Sequence, residues 1–225
     1  MTAENASKHY DATYFEWQRK IGEFGGAANA FKFRRSVKPS DKVIDFGCGG
    51  GFLLANLDCA EKVGLEVNQN AHEQIVDNGA RAFMTPADGL AELGDGWADV
   101  IISTHALEHT LHPLMELQAL MPLLKPGGRI HFVVPSETIA FRWKPNDANF
   151  HLYTWSPMNL GNLFVQAGYE VEEAKPYIHK WPKRHRQIQR LFGWNIFNML
   201  CRLNGQIRRS WFQVEIVARK PLQSV

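Results

Sequence analysis

The 225-residue sequence contains no long apolar run. No stretch approaches the roughly 20 consecutive apolar residues that a membrane-spanning helix needs. The N-terminal segment, residues 1–8, is polar and lacks the apolar core of a secretory signal peptide. We therefore predict a cytoplasmic protein without a transmembrane segment.

Cysteine is scarce as well. The three cysteines, Cys48, Cys59 and Cys201, show no metal-ligand spacing and do not make an even disulfide set. Reduced thiols suit the cytoplasm. The remaining composition, with 45% hydrophobic and 21% charged residues, is typical of a globular protein. A chain of this length is predicted to form a single domain, residues 1–225, around one sheet of seven strands.

Acidic residues are absent from residues 176–214, although this segment carries eight basic ones. They are Lys180, Lys183, Arg184, Arg186, Arg190, Arg202, Arg208 and Arg209. Aromatic residues such as Trp181 and Trp194 lie between them. We predict a basic-aromatic helical insertion over residues 176–211. Three roles stay open for it: a structural or dimer-forming helix, a lid over an anionic substrate, or a surface for lipid or nucleic acid.

Residues 43–54 read Val-Ile-Asp-Phe-Gly-Cys-Gly-Gly-Gly-Phe-Leu-Leu, an apolar strand that enters a glycine-rich turn and then a helix. Glycine is needed where the backbone turns sharply or touches a ligand. A dinucleotide fingerprint has glycines at offsets of 0, 2 and 5. Counted from Gly47, the third position is Phe52, which would block a pyrophosphate. The spacing favours a ligand without a diphosphate, whose amino-acid end lies along the turn.

Strand-like and helix-like segments alternate along most of the chain. Predicted strands cover residues 42–46, 62–67, 81–84, 99–103, 129–134, 169–173 and 212–219. Predicted helices between them begin at Phe52, Ala71, Pro113 and Pro157. This alternation predicts an α/β, doubly wound, mostly parallel sheet that binds its ligand beyond the carboxyl ends of the strands. Residues 1–38 are predicted to form an N-terminal helical cap that either covers the ligand or only packs on the sheet.

The glycine turn, together with the Leu-Lys-Pro-Gly-Gly-Arg turn at residues 124–129, resembles class I S-adenosylmethionine-dependent methyltransferases. The resemblance covers roughly residues 40–175. It implies a Rossmann-like methyltransferase fold and S-adenosylmethionine as the cofactor. It also implies a ribose contact for Glu66 and an adenine contact for Asp88. The full set of cofactor-binding residues that it implies is Asp45, Gly47, Cys48, Gly49, Gly51, Glu66, Val67, Asp88 and Ser103.

A second cluster follows the fourth predicted strand. On a helical turn, His105, Glu108 and His109 would share one face. Two imidazoles and a carboxylate can bind a divalent metal, or one histidine can act as a general base. The cluster resembles the Glu-x-x-Glu-His motif of ubiquinone-type O-methyltransferases and small-RNA ribose methyltransferases, with His105 at the first glutamate. His151, and more weakly Asp147, are further candidates at the same rim.

These observations predict an S-adenosylmethionine-dependent methyltransferase that is O-directed, because Ser103-Thr104-His105-Ala106 replaces the Asn/Asp-Pro-Pro-Tyr segment typical of DNA-adenine and glutamine methylation. The expected acceptor is a small metabolite, such as a sugar or sugar nucleotide, and an anionic one would suit the basic insertion. Two alternatives stay open. One is an RNA ribose methyltransferase, with nucleic acid as the less favoured partner, and the other is a non-catalytic cofactor-binding scaffold. A homodimer is a further open possibility.

Overall fold

The computed structural model describes residues 12–145, 147, 149–209 and 211–222. Residues 1–11 of the predicted cap and Ser210 of the predicted insertion lie outside these ranges. Within them, none of the helices combines the length and apolarity that crossing a bilayer requires.

The centre of the fold is a seven-stranded sheet with the order β3-β2-β1-β4-β5-β7-β6. Its strands are β1 Lys42–Phe46, β2 Glu61–Leu65, β3 Arg81–Phe83, β4 Ala98–Thr104, β5 Leu124–Glu137, β6 Glu170–Tyr177 and β7 Trp211–Arg219. The first five strands are parallel. Only β7 runs antiparallel, between β5 and β6. This arrangement confirms the predicted mostly parallel sheet.

Helices flank the sheet, and several begin where the sequence supplies a cap. They are α1 Ala12–Phe33, α2 Phe52–Ala55, α3 His72–Asp77, α4 Pro86–Leu93, α5 Pro113–Leu120, α6 Pro157–Gln166 and α7 His185–Ile207. At the start of α6, the Ser156 and Asn159 side chains cap each other's backbone N–H groups, and Pro157 occupies the first turn. These residues satisfy donors that a helix start otherwise leaves without partners.

Several predicted strand boundaries differ from the structure by one or more residues. The sixth strand runs to Tyr177, four residues beyond its predicted end and into the predicted insertion. The second strand ends at Leu65, so Glu66 and Val67 follow it instead of belonging to it. The fifth strand begins at Leu124, five residues before the predicted start at Arg129, because Leu124 pairs with Ala98 across a register shift. The Pro-Gly-Gly turn is thus included in the strand, and sequence spacing could not show that pairing.

The core lies on both faces of the sheet. One cluster includes Ile44, Leu65 and Phe132, and a second, on the side of α1, includes Phe33, Val43 and Leu54. A third, smaller cluster joins α1 to α7 through Ala28, Phe197 and Cys201. This last contact holds the insertion against the N-terminal helix.

Candidate active site

The glycine turn after β1 adopts a backbone that favours glycine. Gly47, Gly49 and Gly51 have φ angles of 69°, 54° and 74°, in the left-handed region that side chains disfavour. A Cβ atom on Gly47 would lie 2.3 Å from the Cβ atom of Ala106 in the loop after β4. The turn therefore approaches that loop closely, and glycine at position 47 is required on two counts.

Asp45 stands at the entrance of this turn. It is 1% exposed, and its Oδ1 atom accepts no hydrogen bond from any residue that the structure describes. Burial, followed by the nearby charge of Glu66, raises the pKa of the Asp45 carboxyl well above its usual range. A buried carboxylate oxygen without a partner is costly. Asp45 also lines the cavity described below, so a cationic ligand group would suit this position.

Glu66 connects the glycine turn to the end of β2. Its Oε2 atom accepts a hydrogen bond from Gly49 N at 2.8 Å, and Oε1 accepts one from Asn68 N at 2.9 Å. Burial raises the pKa of this carboxyl, and the two backbone donors oppose the rise. The adjacent Val67 side chain is 55% exposed. The ribose contact of Glu66 stays a prediction. The hydrogen bond by which Glu66 fixes the glycine turn is a role that the sequence did not suggest.

Two other predicted cofactor residues have local structural partners. Asp88 Oδ2 accepts hydrogen bonds from Thr85 N and Thr85 Oγ1, which closes the cap of α4. Ser103 is buried and donates through Oγ to Phe46 O at 2.7 Å. Neither residue is among those lining the cavity. Their cofactor contacts therefore remain predictions, and a cap signal at Thr85-Pro86 could have been recognised in the sequence.

A cavity of about 630 Å³ opens beyond the carboxyl ends of β1 and β4. Its size is typical of small-molecule sites. On one side it is lined by Asp45, Gly47, Cys48, Gly49 and Gly50. On the other side it is lined by Thr104, His105, His109, Glu137, Phe141 and His151. The predicted glycine turn and the predicted histidines thus share one cavity.

Helix α1 forms a wall of this cavity through Ile21, Gly22, Gly25 and Gly26. Its glycine face lies directly against Phe52, since a Cβ atom on Gly26 would be 2.3 Å from the Phe52 carbonyl oxygen. The described part of the predicted cap therefore packs on the domain and also lines the cavity, and its cover over a ligand stays a prediction. Glycines spaced three and four residues apart within a helix were the overlooked signal.

Glu108 lies at the centre of the histidine cluster. It is fully buried, and neither carboxylate oxygen accepts a hydrogen bond within the described ranges. The Oε1 atom is 3.5 Å from His105 Nδ1, 3.8 Å from His109 Nε2 and 3.9 Å from His151 Nε2. One buried carboxylate is thus surrounded by three imidazoles.

The geometry corrects the predicted helical face. Leu107–His109 is a short 3₁₀ turn, and His105 precedes it with a φ of 57°. Ligand atoms of Glu108, His109 and His151 lie within 4.8 Å of one another, so these three residues form the group that could hold a metal ion. His105 is not in that group: its Nε2 atom lies 3.3 Å from Gln213 Oε1, although its Nδ1 atom faces Glu108.

The protonation state of His109 follows from its burial. Desolvation lowers the pKa of His109, and the charge of Glu108 opposes this shift without cancelling it. The neutral imidazole that results at neutral pH can ligate a metal or accept a proton. His151 is oriented by Glu137, whose Oε1 atom is 2.8 Å from His151 Nδ1. Asp147, the weaker candidate, accepts a hydrogen bond from Phe150 N and is not in the metal group.

Two residues behind the cavity, Lys32 and Gln213, were missed in the sequence. Lys32 on α1 is 8% exposed and donates to Gln213 Oε1 at 2.8 Å and to Thr104 Oγ1 at 3.4 Å. Burial lowers the pKa of Lys32 to about 7, although Glu215 and Glu108 oppose the shift. These contacts join residues as many as 181 positions apart. Lysine in a helix and glutamine in a strand carry no local signal of such a contact.

Comparison with known proteins identifies the fold and the family. A family model for a methyltransferase domain matches residues 14–174, more than half of the chain. The chain belongs to this methyltransferase family. This membership supports S-adenosylmethionine as its cofactor.

Relatives and solved structures agree with the assignment. The ubiquinone biosynthesis O-methyltransferase of Pectobacterium atrosepticum is 31% identical over 99 residues, covering 40% of this chain and 41% of that protein. The chain thus matches about two fifths of the length of such curated relatives. An S-adenosylmethionine-dependent methyltransferase of Methanosarcina mazei superposes with a TM-score of 0.61 at 12% identity, covering 85% of this chain and 98% of the other.

A third similar structure is the Haemonchus contortus phosphoethanolamine N-methyltransferase 2, solved with S-adenosyl-L-methionine. It has a TM-score of 0.60 at 12% identity and covers 86% of this chain and 52% of the other. At such low identity the likeness shows the fold alone. The acceptor atom therefore has to be argued from the site of this chain.

Proposed function

We propose that this chain transfers a methyl group from S-adenosylmethionine to an oxygen atom of a small acceptor. One observation carries the proposal: the glycine turn after β1 and the histidines around Glu108 line a single cavity. Methyl transfer requires the sulfonium and the acceptor to meet in line, and positioning supplies much of the rate. A shared cavity places the two half-sites within reach of each other.

On the cofactor side, the residues of the chain fit a cationic amino-acid ligand. Asp45 offers the buried oxygen that has no hydrogen-bond partner in the described ranges. The turn from Gly47 to Gly51 offers backbone without intruding side chains. We propose Glu66 for the ribose and Asp88 for the adenine. When bound, S-adenosylmethionine supplies the methyl group, while these residues orient it.

On the acceptor side, we propose that Glu108, His109 and His151 hold a divalent cation. The fit rests on the buried carboxylate, whose oxygens have no hydrogen bond in the described structure, and on the mutual distances within 4.8 Å. Carboxylate and imidazole donors suit several divalent ions. Such an ion would lower the pKa of an acceptor hydroxyl. Without the ion, neutral His109 would serve as the general base for that hydroxyl.

An oxygen acceptor is supported by two further points. The curated relatives cited above are named as O-methyltransferases. In addition, a hydroxyl nucleophile needs a base or a metal ion, which a buried carboxylate among imidazoles can supply. A free amine is already nucleophilic and needs neither. We keep a small metabolite such as a sugar or sugar nucleotide as the proposed acceptor. In the described part of the predicted insertion, Trp181 lines the cavity and the basic residues do not. We therefore do not propose that the basic residues of the insertion contact the acceptor.

The test separates the cofactor, metal and transfer steps. Calorimetry should show that S-adenosylhomocysteine binds the intact chain in the micromolar range, about −8 kcal/mol. Mn²⁺ should bind the wild type and fail to bind Glu108→Gln, while exposed Glu73→Gln, the matched control, binds it normally. Absence of S-adenosylhomocysteine binding would end the proposal. Equal Mn²⁺ binding in all three proteins would remove the metal site.

Turnover is measured with a phenol and a sugar nucleotide, catechol and UDP-glucose, by the formation of S-adenosylhomocysteine. We expect turnover with a hydroxyl acceptor, loss of turnover in EDTA and recovery with a divalent ion. Turnover that is insensitive to EDTA but lost in His109→Ala would assign the step to the general base. Cofactor binding with no turnover on a broad set of hydroxyl acceptors would favour the non-catalytic scaffold.

A further inference from the structure

Helix α7 has an apolar face that the domain does not cover. Its inner face is buried: Phe197 and Cys201 pack on α1, and Gly205 packs against Ile178. The opposite face carries exposed apolar side chains between 40% and 81% exposed. They are Leu191, Phe192, Ile196, Met199, Leu203 and Ile207. Gly193, at φ 74° and ψ 177°, breaks the helix after Leu191 and Phe192, so the stripe on one helical face runs from Ile196 to Ile207, about 17 Å at 1.5 Å per residue.

The charges around this stripe have one sign. Residues 176–214 contain eight basic residues and no acidic one. Seven of the eight are exposed, the exception being Lys180, which is half-buried. Helices that lie in the plane of a membrane surface combine an exposed apolar face with Lys and Arg, whose long side chains reach the lipid headgroups.

We propose that α7 docks on an anionic lipid surface, with its apolar stripe in the headgroup region. A second copy of the chain fits less well, because a symmetric contact would place two such basic segments against each other. RNA would also leave the stripe unexplained, because single-stranded RNA stacks on aromatic planes and not on aliphatic side chains. An anionic bilayer would pair its headgroups with the lysine and arginine side chains and would cover the apolar side chains at the same time.

Vesicle flotation tests this proposal. We expect the wild type to float with phosphatidylcholine vesicles that contain phosphatidylglycerol and to stay below with phosphatidylcholine alone. The double variant Ile196→Ser, Leu203→Ser should lose at least tenfold in binding. The control Met158→Ser, Val165→Ser, which alters exposed apolar residues on α6, should float normally. Affinity for S-adenosylhomocysteine, measured in parallel, shows that each variant is folded.

Three outcomes would overturn the proposal. Wild type that does not float with anionic vesicles rejects the surface. Equal flotation of the stripe variant and its control moves the contact elsewhere. A wild-type dimer in light scattering that dissociates in the stripe variant assigns the face to a second copy of the chain.

A different observation carries a second inference, which rests on the proposed function. The Gln213 side chain is buried between Lys32, His105 and the backbone of His179. Its Nε2 atom donates to His179 O at 3.2 Å, so Oε1 is the atom that faces Lys32 and His105. An amide oxygen only accepts hydrogen bonds, and Lys32 Nζ donates one of them. His105 Nε2, at 3.3 Å, must therefore carry a hydrogen.

This hydrogen determines the tautomer of His105. In the Nε2–H tautomer, the lone pair of Nδ1 is directed toward Glu108 Oε1, 3.5 Å away. Two hydrogen-bond acceptors then face each other, and the hydroxyl of a methyl acceptor would donate its one hydrogen to Nδ1. We infer that Gln213, held by Lys32, is a positioning residue that sets the tautomer and ring orientation of His105 for the transfer step. Hydrogen bonds to the far nitrogen of an active-site histidine commonly have this role.

Nitrogen NMR of ¹⁵N-histidine protein in EDTA tests this inference without any acceptor. The His105 signals, assigned by their loss in His105→Ala, should show the Nε2–H form in the wild type. Gln213→Leu should convert them to a mixture of tautomers, and Gln213→Glu, which keeps an acceptor oxygen, should restore the Nε2–H form. Gln166→Leu, an exposed control on α6, should change nothing.

Once an acceptor substrate has been identified, Gln213→Leu should lower kcat by about 10- to 100-fold and leave KM nearly unchanged. Lys32→Met should have a smaller effect in the same direction, and exposed Lys38→Met none. A wild-type His105 that already exchanges between tautomers would refute the inference while leaving the proposed transfer intact. Loss of turnover with an unchanged tautomer in Gln213→Leu would also refute it.

Discussion

The two sides of the cavity are built in opposite ways. The proposed cofactor side comes from one short stretch, Asp45 to Gly51, which Glu66 after β2 holds by a hydrogen bond from Gly49 N. The proposed acceptor side is assembled from distant segments: Lys32 of α1, the turn at Glu108, His151 before α6 and Gln213 of β7. A site that binds its ligand through the backbone can therefore be specified by a local sequence motif. A site made of clustered side chains depends instead on how the sheet brings its strands together.

The largest expected effect comes from a substitution that disrupts the close contact between the glycine turn and the loop after β4. In Gly47→Ala, the new methyl group would overlap Ala106 and sit at a φ of 69°. We expect S-adenosylhomocysteine affinity to fall by about 1000-fold, or roughly 4 kcal/mol, through strain and displacement of the turn. Calorimetry measures the affinity. Gly79→Ala is the matched control, because its φ is 80° but nothing lies within 4 Å of the added Cβ atom. Equal losses in both variants would mean that φ strain alone is responsible.

A second prediction breaks only the acceptor side. His109→Ala should lower kcat by about 100-fold or more, since a positioned base or metal ligand is lost. Affinity for S-adenosylhomocysteine should be unchanged, because Asp45 and the glycine turn lie on the other side of the cavity. Steady-state kinetics with calorimetry measure both quantities. Exposed His112→Ala should behave as wild type. Near-normal turnover in both His105→Ala and His109→Ala would remove the cluster from the mechanism.

A third prediction breaks only the cofactor side. Glu66→Ala removes the acceptor of two backbone N–H groups and the proposed ribose contact. We expect S-adenosylhomocysteine to bind about 2 kcal/mol more weakly, in the range for hydrogen bonds to a charged group. At saturating cofactor, kcat should be nearly preserved. A lower kcat at saturation would show that the turn also positions the acceptor side.

The smallest predicted effect concerns the support of Gln213. His179 lies under Gln213, and burial lowers the pKa of His179 to about 4 from 6.5. The folded pKa is therefore below the unfolded one, and His179 contributes stability above pH 6.5 that is lost as the pH falls toward 4. Between pH 7 and pH 5 we expect a loss of about 1–2 kcal/mol from this group.

Thermal unfolding at the two pH values measures this loss. His179→Gln keeps a donor for Asn198 and has no such titration, so its pH dependence should be flatter than that of the wild type. The control His112→Gln, at an exposed position, should keep the wild-type slope. Identical slopes in all three proteins would show that His179 does not carry the pH dependence.

Much of the fold could be predicted because its signals are local. The apolar strand before Gly47, the cap at Ser156-Pro157 and the alternation of elements lie within a few residues of the structure they specify. Glu66 and Val67 were predicted to lie inside the second strand, which ends at Leu65. The end of this strand depends on its pairing with β1. The extension of β5 back to Leu124 likewise depends on strand pairing, here with Ala98 of β4.

The sequence by itself determined the methyltransferase-type sheet, the glycine turn and the candidate residues His105, Glu108 and His109. Tertiary structure alone decided that the side-chain ligand atoms of Glu108, His109 and His151 lie within 4.8 Å of one another and that His105 Nε2 faces Gln213. It also decided which face of α7 stays exposed. The physical reason is one of range: backbone conformation is set by neighbours in the chain, whereas the environment of a buried charge is set by whichever strands the sheet places beside it.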